Sequence, residues 1–343
     1  MDIEFHYYMT YLIAAKAGFG AKDALTIATA CYYVDDNDMV LQIDQGMASG
    51  YSNYISQTKN ILKPRGRLFR IYPLFHFIPG EPQNPTAWRK DGKMHWLNTT
   101  PDSENANKIL DAALATGNLY RIGVASHAYA DTWAHQNFVG YFDDFNAMKG
   151  PLCLAMPNIG HADAGRNPDQ PALVWQDKRL LHERVDNRTK FLEAAEHLLR
   201  KFCRYLDVTL AESVLNEKIG ELRQDLDWAI GAQDPTNGKK EERVARYREL
   251  SEKVAYGDRK LPKYDGEQWL DDAIDEKVRG LRDRCELPLV RLDPLKDGYF
   301  WKDRRNFKQS PWYCFQEAVK THQQDAWEIL EQSNMQGLEL PEL

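Results

Sequence analysis

The chain has 343 residues, of which 43% are apolar and 28% are charged, and its formal net charge at pH 7 is -7. This composition is typical of a globular protein with a sizeable core. The negative charge argues against a standing affinity for nucleic-acid phosphates, so we predict no stable nucleic-acid complex. A nucleic acid stays possible as a substrate only if metal ions supply positive charge locally.

The sequence indicates neither a secretory signal nor a transmembrane segment. The N-terminal stretch carries acidic residues where a signal peptide carries basic ones, and Lys16 interrupts its apolar run. No stretch reaches the roughly 18 to 20 apolar residues that cross a bilayer. The five cysteines are scattered and odd in number, which is typical of reduced thiols. We predict a cytoplasmic protein, or one exported without a Sec signal.

Apolar residues recur at helical spacing in four segments, and we predict a helix in each. These segments are residues 21–34, 103–117, 119–138 and 188–206. The alternating segment 68–79 is the best candidate for extended structure, although Pro73 and Pro79 argue against a central strand. The predicted fold is all-α, a multi-helix bundle with long irregular loops around a metal site.

Two long irregular segments, residues 76–102 and 139–177, separate these helices. Loops of this length inside a compact domain are usually functional, and we expect these two to wall a site. The sequence changes character near residue 232, where a polar turn leads into a charged helix. We predict a metal-binding helical domain at residues 1–231 and a helical C-terminal extension at 232–343. The extension is assigned a supporting role because its single histidine is His322.

The predicted helix 119–138 contains His127, Asp131 and His135 at intervals of four residues. Because each residue of an α-helix turns by about 100°, these three side chains lie along one stripe. Histidine nitrogens and carboxylate oxygens are zinc ligands, and a carboxylate can bridge two ions. An unpaired buried carboxylate is costly, and the stripe holds no Lys or Arg to offset its charge. We therefore predict a metal site with Asp131 as its bridging ligand.

Other candidate ligands lie in separate segments: His6, Asp35, Asp36, His76, His161 and Asp163. Each is a weak indication of a metal site when it is taken alone. Asp35 and Asp36 fit a turn, His76 fits an aromatic core contact, and Asp163 fits an exposed loop charge. Only the combination of these residues with the helical stripe indicates a metal site.

The ordered series His6, Asp36, His76, His127-x-x-x-Asp131, His135 and His161 resembles the zinc-dependent phospholipase C and single-strand nuclease superfamily, over residues 1 to about 205. The resemblance implies a helical fold that binds three zinc ions, and we expect two or three in this chain. It assigns Asp36, His76, His127 and Asp131 to one ion. A second ion would share Asp131 and take His6 together with the N-terminal amino group, for which Asp2 or Glu4 is the alternative.

The same resemblance assigns His135 and His161 to a third ion, and here the sequence departs from the family. His135 follows Asp131 more closely than is usual, and the residue one helical turn after His161 is Gly165. The acidic ligand of this ion would then be Asp163.

These features predict a zinc-dependent phosphodiester hydrolase of the phospholipase C or nuclease type, with a phospholipid or nucleotide phosphodiester as substrate. Clustered zinc ions neutralise phosphate charge and activate water. The candidate catalytic residues are Asp131 and Asp36, and Asp36 or its neighbour Asp35 would orient or deprotonate the water. Two alternatives stay open: another metal-dependent hydrolase on the same scaffold, and a binding or structural protein whose metal ions staple loops to helices.

Overall fold

The computed structural model describes residues 1–58, 65–148, 158–278 and 297–339, and this part of the chain is largely helical, as predicted. A π-helical segment, Glu4–Met9, continues into the first α-helix. The α-helices are α1 (Thr10–Ala17), α2 (Ala21–Asp36), α3 (Tyr72–Phe75), α4 (Glu104–Ala115), α5 (Leu119–Ala134), α6 (Asn187–Leu206), α7 (Glu212–Ile230), α8 (Lys240–Ser251), α9 (Gln268–Ala273) and α10 (Pro311–Glu331). None of these described helices combines the length and apolar character needed to cross a membrane.

Two small sheets accompany the helices, and the all-α prediction did not include them. Their strands are β1 (Gln42–Ile43), β2 (Tyr51–Ser52), β3 (Val174–Gln176), β4 (Arg184–Asp186), β5 (Ile274–Val278) and β6 (Asp297–Trp301). The larger sheet has the order β2-β1-β6-β5, in which β1 and β6 are parallel and the other neighbours are antiparallel. β3 and β4 form an antiparallel pair. Strands of two to five residues are too short to show a clear alternating pattern in the sequence.

Helix α5 lies at the centre of the core, with α2, α4, α6 and α10 packed around it. Every residue from Arg121 to Ala134 is buried. The side chain of Asn118 caps its N-terminus by accepting hydrogen bonds from the backbone N–H groups of Tyr120 and Arg121. The helix ends four residues earlier than predicted, and Asn137 beyond it adopts a left-handed conformation with φ of 71°.

The segment 68–79 forms short helical turns instead of the extended structure that its alternation indicated. A 3-10 turn at Arg65–Arg70 precedes α3. Pro73 lies in the first turn of α3, where its missing N–H group leaves no helical hydrogen bond unmade. The segment leads directly to His76, so these turns position a candidate ligand.

The C-terminal extension packs against the N-terminal part. Helix α10 buries Trp312, Phe315 and Val319 in the core that also contains α5. His322 is buried and donates a hydrogen bond from Nε2 to the carbonyl oxygen of Leu74 at 2.8 Å. The extension contributes strands as well as helices, and its boundary at residue 232 stays a prediction.

Helices α2 and α5 are in close contact at Gly123. A Cβ atom at this position would lie 2.6 Å from both the Ala30 Cβ and the Ile27 carbonyl oxygen. The absence of a side chain therefore lets α2 lie directly against α5. This contact places the C-terminal end of α2, with Asp35, beside the stripe of α5.

We predict that Gly123→Ala destabilises the protein by about 1–3 kcal/mol, because the added methyl group forces the two helices apart. The free energy of unfolding in urea measures this effect. Gly220→Ala is the matched control, since Gly220 lies in helix α7 and an alanine methyl group there would have no other atom within 4 Å. Alanine at this control position should raise stability by up to about 1 kcal/mol. Equal stability changes in both variants would contradict the close approach at Gly123.

Candidate metal centre

The N-terminal segment brings two groups to Asp131. The amino group of Met1 contacts Asp131 Oδ1 and lies 3.5 Å from Asp169 Oδ1. Nε2 of His6 lies 3.1 Å from the same Asp131 oxygen. Burial lowers the pKa of the Met1 amino group, but Asp131 and Asp169 outweigh this and raise it to about 10. The metal-free protein therefore holds this amine as an ammonium group.

The second oxygen of Asp131 faces a different set of groups. Oδ2 lies 3.2 Å from His127 Nε2, 3.4 Å from His76 Nδ1 and 3.5 Å from His135 Nδ1. Asp35 Oδ1 lies 3.8 Å from the same nitrogens of His76 and His127. Asp131 therefore has the position of a carboxylate that can bridge two cations.

A further group of ligand atoms lies on the other side of His135. Its Nε2 is 3.4 Å from Asp169 Oδ1, and His161 Nε2 is 3.6 Å from Asp169 Oδ2. The ring of Phe77 stacks on His135 with ring centroids 4.3 Å apart, which fixes the orientation of the imidazole. Burial would raise the pKa of Asp169, but His161 and the Met1 amino group hold it below its usual range.

Four of these histidines have one ring nitrogen bound to a backbone carbonyl oxygen. The pairs are His127 Nδ1 with Cys31 O at 2.8 Å, His135 Nδ1 with His76 O at 2.6 Å, His76 Nε2 with Ser56 O at 3.0 Å, and His161 Nδ1 with Gly165 O at 2.8 Å. Because a carbonyl oxygen only accepts, each of these nitrogens carries a proton. The other nitrogen of each neutral ring then presents its lone pair to the centre. Histidines that ligate metals typically have this second hydrogen bond.

The inner nitrogens of His76 and His127 lie 3.0 Å apart. Two neutral rings would turn two lone pairs toward each other there, so a proton or a metal cation has to lie between them. Burial lowers the pKa of His127, but Asp131 and Asp35 outweigh burial and raise it to about 10. In the metal-free protein His127 therefore carries the proton, and a bound cation would replace it.

Within the described residues, three groups of side chains place their ligand atoms within 4.8 Å of one another: Asp35, His76 and His127; His135, His161 and Asp169; and His6, Cys31 and His127. Nitrogen and carboxylate donors of this kind suit zinc. Burial raises the pKa of the Cys31 thiol, so its sulfur is protonated at neutral pH and is a poor ligand. The clusters fit metal ions best where they combine imidazole with carboxylate.

Seven of the nine predicted ligands converge on this centre: His6, Asp35, His76, His127, Asp131, His135 and His161. Asp36 and Asp163 point elsewhere. Asp36 Oδ2 accepts a hydrogen bond from the Tyr264 hydroxyl at 2.8 Å, and Asp163 Oδ2 accepts one from the backbone N–H of Met148 at 3.1 Å. Besides Asp131, the carboxylates that face the histidines are those of Asp35 and Asp169.

Asp169 is the residue that the sequence reasoning missed. It lies eight residues after His161, at the end of a short 3-10 turn, Asn167–Asp169, that contains Pro168. The acidic ligand was expected within one helical turn of His161, a range that ends at Gly165 and does not include Asp169. The signal in the sequence was an acidic residue in a proline-containing turn of the same loop.

A cleft with a volume of about 710 Å³ opens onto these groups. The long loop 139–177 lines it with residues 159–162, 166, 169 and 170, so this loop does wall the centre. Its lining includes the aromatic rings of Tyr32, Tyr72 and Phe77 and the cationic side chains of Arg166 and Lys240. Five carboxylates also line the cleft: Asp2, Asp35, Asp36, Asp131 and Asp169.

The chain belongs to the family described as a family of unknown function, DUF6765, whose profile matches residues 1–330. This match includes both the metal-binding candidates and nearly all of the C-terminal extension. No curated protein and no solved structure matches the chain.

We predict that Asp35→Asn weakens zinc binding while Asp36→Asn leaves it near the level of the unmodified protein. The two residues are adjacent, but only the Asp35 carboxylate faces His76 and His127. Zinc content after dialysis at a fixed free zinc concentration measures the difference. A larger loss of zinc in Asp36→Asn would reverse the assignment.

Zinc uptake at pH 7 should release about two protons. In the metal-free protein the pKa values of the Met1 amine and of His127 are about 10, and both groups must lose a proton to bind a cation. Zinc affinity should therefore rise as the pH increases from 6 to 9. Calorimetric titrations in buffers of different ionisation enthalpy count the protons. Zinc binding without proton release would contradict the involvement of these two groups.

Proposed function

We propose that the protein is a metal-dependent phosphodiester hydrolase that holds two or three zinc ions around Asp131 and acts on a phospholipid or nucleotide phosphodiester. One observation carries the proposal: backbone carbonyls fix the outer nitrogens of four histidines, and the inner nitrogens face carboxylates beside an open cleft. The resemblance of the ordered ligands to the zinc-dependent phospholipase C and single-strand nuclease superfamily supports it.

The charges of the cleft make anion binding dependent on the metal. Five carboxylates line it against the two cationic side chains, Arg166 and Lys240, and the Met1 amine. This excess of negative charge repels a phosphodiester from the metal-free protein. Two or three divalent cations would reverse the sign of the local charge. The overall negative charge of the chain is therefore compatible with an anionic substrate.

Bound zinc would supply neutralisation of the phosphate and a lowered pKa for a water molecule. Asp131 would hold its position as an ionised carboxylate between the two sets of ligands. The Asp35 side chain is 26% exposed and borders the cleft, so it can accept a proton from an attacking water. Arg166 is a cleft residue that can pair with phosphate oxygens, and Lys240, whose Nζ donates to Asp2 Oδ2 at 2.8 Å, adds positive charge to the cleft.

Exposure of the ligands favours catalysis over a purely structural role for the metals. Structural zinc is enclosed by four protein ligands, whereas catalytic zinc keeps a position for water or substrate. The side chains of Asp35, His161 and Asp169 are 26%, 20% and 18% exposed. Two of the candidate ion positions therefore border solvent, as a substrate would require.

Hydrolysis assays with bis(4-nitrophenyl) phosphate, phosphatidylcholine and single-stranded nucleic acid test the proposal. We expect at least one of these to be hydrolysed by the zinc-loaded protein, with activity lost on chelation and restored by zinc. His161→Gln should reduce the activity because it removes a ligand at the edge of the cleft. His197→Gln is the control, since His197 pairs with Asp102 outside this cleft.

Three results would count against this function. Absence of zinc binding would remove its chemical basis. Bound zinc without turnover, combined with unfolding on chelation, would favour metals that only staple loops to helices. Equal loss of activity in His161→Gln and His197→Gln would place the chemistry outside the centre described above.

A further inference from the structure

Two acidic residues of the N-terminal segment are held by one helix of the C-terminal extension. Glu4 is completely buried, and Arg243 of α8 binds both of its carboxylate oxygens, with Nε and Nη2 each 2.9 Å away. Lys240, one turn earlier on α8, donates to Asp2 Oδ2 at 2.8 Å. The segment before the π-helix is therefore fixed from the side of the extension.

Arg243 is itself fixed in the same buried position. Its Nη1 donates to Asp234 Oδ2 at 2.8 Å, and only 1% of its side chain is exposed. A guanidinium group that forms two parallel hydrogen bonds to a carboxylate sets both its distance and its orientation. Lysine in place of this arginine would keep the charge and lose the second bond.

Glu4 lies between the two N-terminal groups that reach the centre. The Met1 amine precedes it by three residues and His6 follows it by two, and both groups contact the same oxygen of Asp131. The π-helix begins at Glu4 and has a wider turn than an α-helix. The position of Glu4 therefore determines where both groups lie.

Stability alone is a weak explanation for this ion pair. Replacing a buried ion pair with apolar residues is often neutral or stabilising, because both charges lose their hydration. Fixing the register of one segment against another is the better-attested role of such pairs. Here the segment that is fixed carries two candidate metal ligands.

We propose that Arg243 is a positioning residue that acts through Glu4 to place the Met1 amine and His6 against Oδ1 of Asp131. The C-terminal extension thereby completes the cation position at this oxygen. This inference rests on the proposed function for its biological meaning. It gives the extension a specific role in the centre beyond general support. The ligand group of His135, His161 and Asp169 takes no ligand from the segment that this pair fixes, although the Met1 amine lies 3.5 Å from Asp169 Oδ1.

The test uses the full chain with Arg243→Lys, and Arg179→Lys as the matched control. Arg179 is also buried and binds both oxygens of a carboxylate, with Nε 2.9 Å from Asp177 Oδ1 and Nη2 2.6 Å from Oδ2. Two readouts are measured: the zinc affinity of each site by competition with a chromogenic chelator, and the rate of acylation of the α-amine in the metal-free protein, followed by mass spectrometry.

We expect Arg243→Lys to weaken the zinc site at Met1, His6 and Asp131 by about 10- to 100-fold, the usual effect of losing a residue that supports a metal ligand, and to weaken the other sites much less. Its α-amine should be acylated faster than that of the unmodified protein. Arg179→Lys should change neither the N-terminal zinc site nor the acylation rate. If Arg243→Lys does not fold, the triple variant Glu4→Gln, Asp234→Asn and Arg243→Met removes Arg243 together with both of its buried carboxylate partners. The same two changes, weaker zinc binding at one site and faster acylation of the α-amine, are expected for this variant.

A folded Arg243 variant with unchanged zinc affinity and unchanged amine reactivity would overturn the inference. Equal effects in Arg179→Lys would also overturn it, because the change would then follow from general destabilisation. If the unmodified protein binds no zinc, the proposed function fails, while the acylation rates still decide whether Arg243 positions the amine.

Discussion

The buried carboxylate of Asp131 is the group on which the arrangement of the centre depends. Its two oxygens face separate sets of groups, with the Met1 amine and His6 on one side and His76 and His127 on the other. Burial would raise its pKa, but His135, the amine and His127 hold the pKa well below its usual range. The ionised carboxylate and the cationic groups around it therefore stabilise one another in a position that neither could occupy alone.

Several distant parts of the chain have to be in place for this centre to form. Helix α5 supplies Asp131, the close contact at Gly123 brings Asp35 from α2, and the loop after α5 supplies Asp169. The extension contacts the N-terminal segment of this centre through the pair of Arg243 and Glu4. Because the ligand positions come from separate elements, formation of the centre is coupled to packing of the whole core.

The sequence predicted the helical stripe and most of the converging residues, but it did not resolve choices that depend on tertiary packing. The interval of four residues was sufficient to align His127 and Asp131 on α5, and His135 directly follows the last residue of that helix. Asp35 and Asp36 differ by about 100° of helical rotation, and only the way α2 lies against α5 decides which carboxylate faces inward. Asp169 lies in a loop without periodicity. Its approach to His135 depends on backbone turns that no repeating pattern in the sequence predicts.

Anomalous diffraction at the zinc absorption edge, from crystals of the zinc-loaded protein, tests the central claim most directly. Peaks are expected on both sides of the Asp131 carboxylate, each about 2.0–2.2 Å from one of its oxygens. A further peak between His135, His161 and Asp169 would account for the remaining ligand group. Zinc peaks confined to the protein surface, with none next to Asp131, would contradict the account.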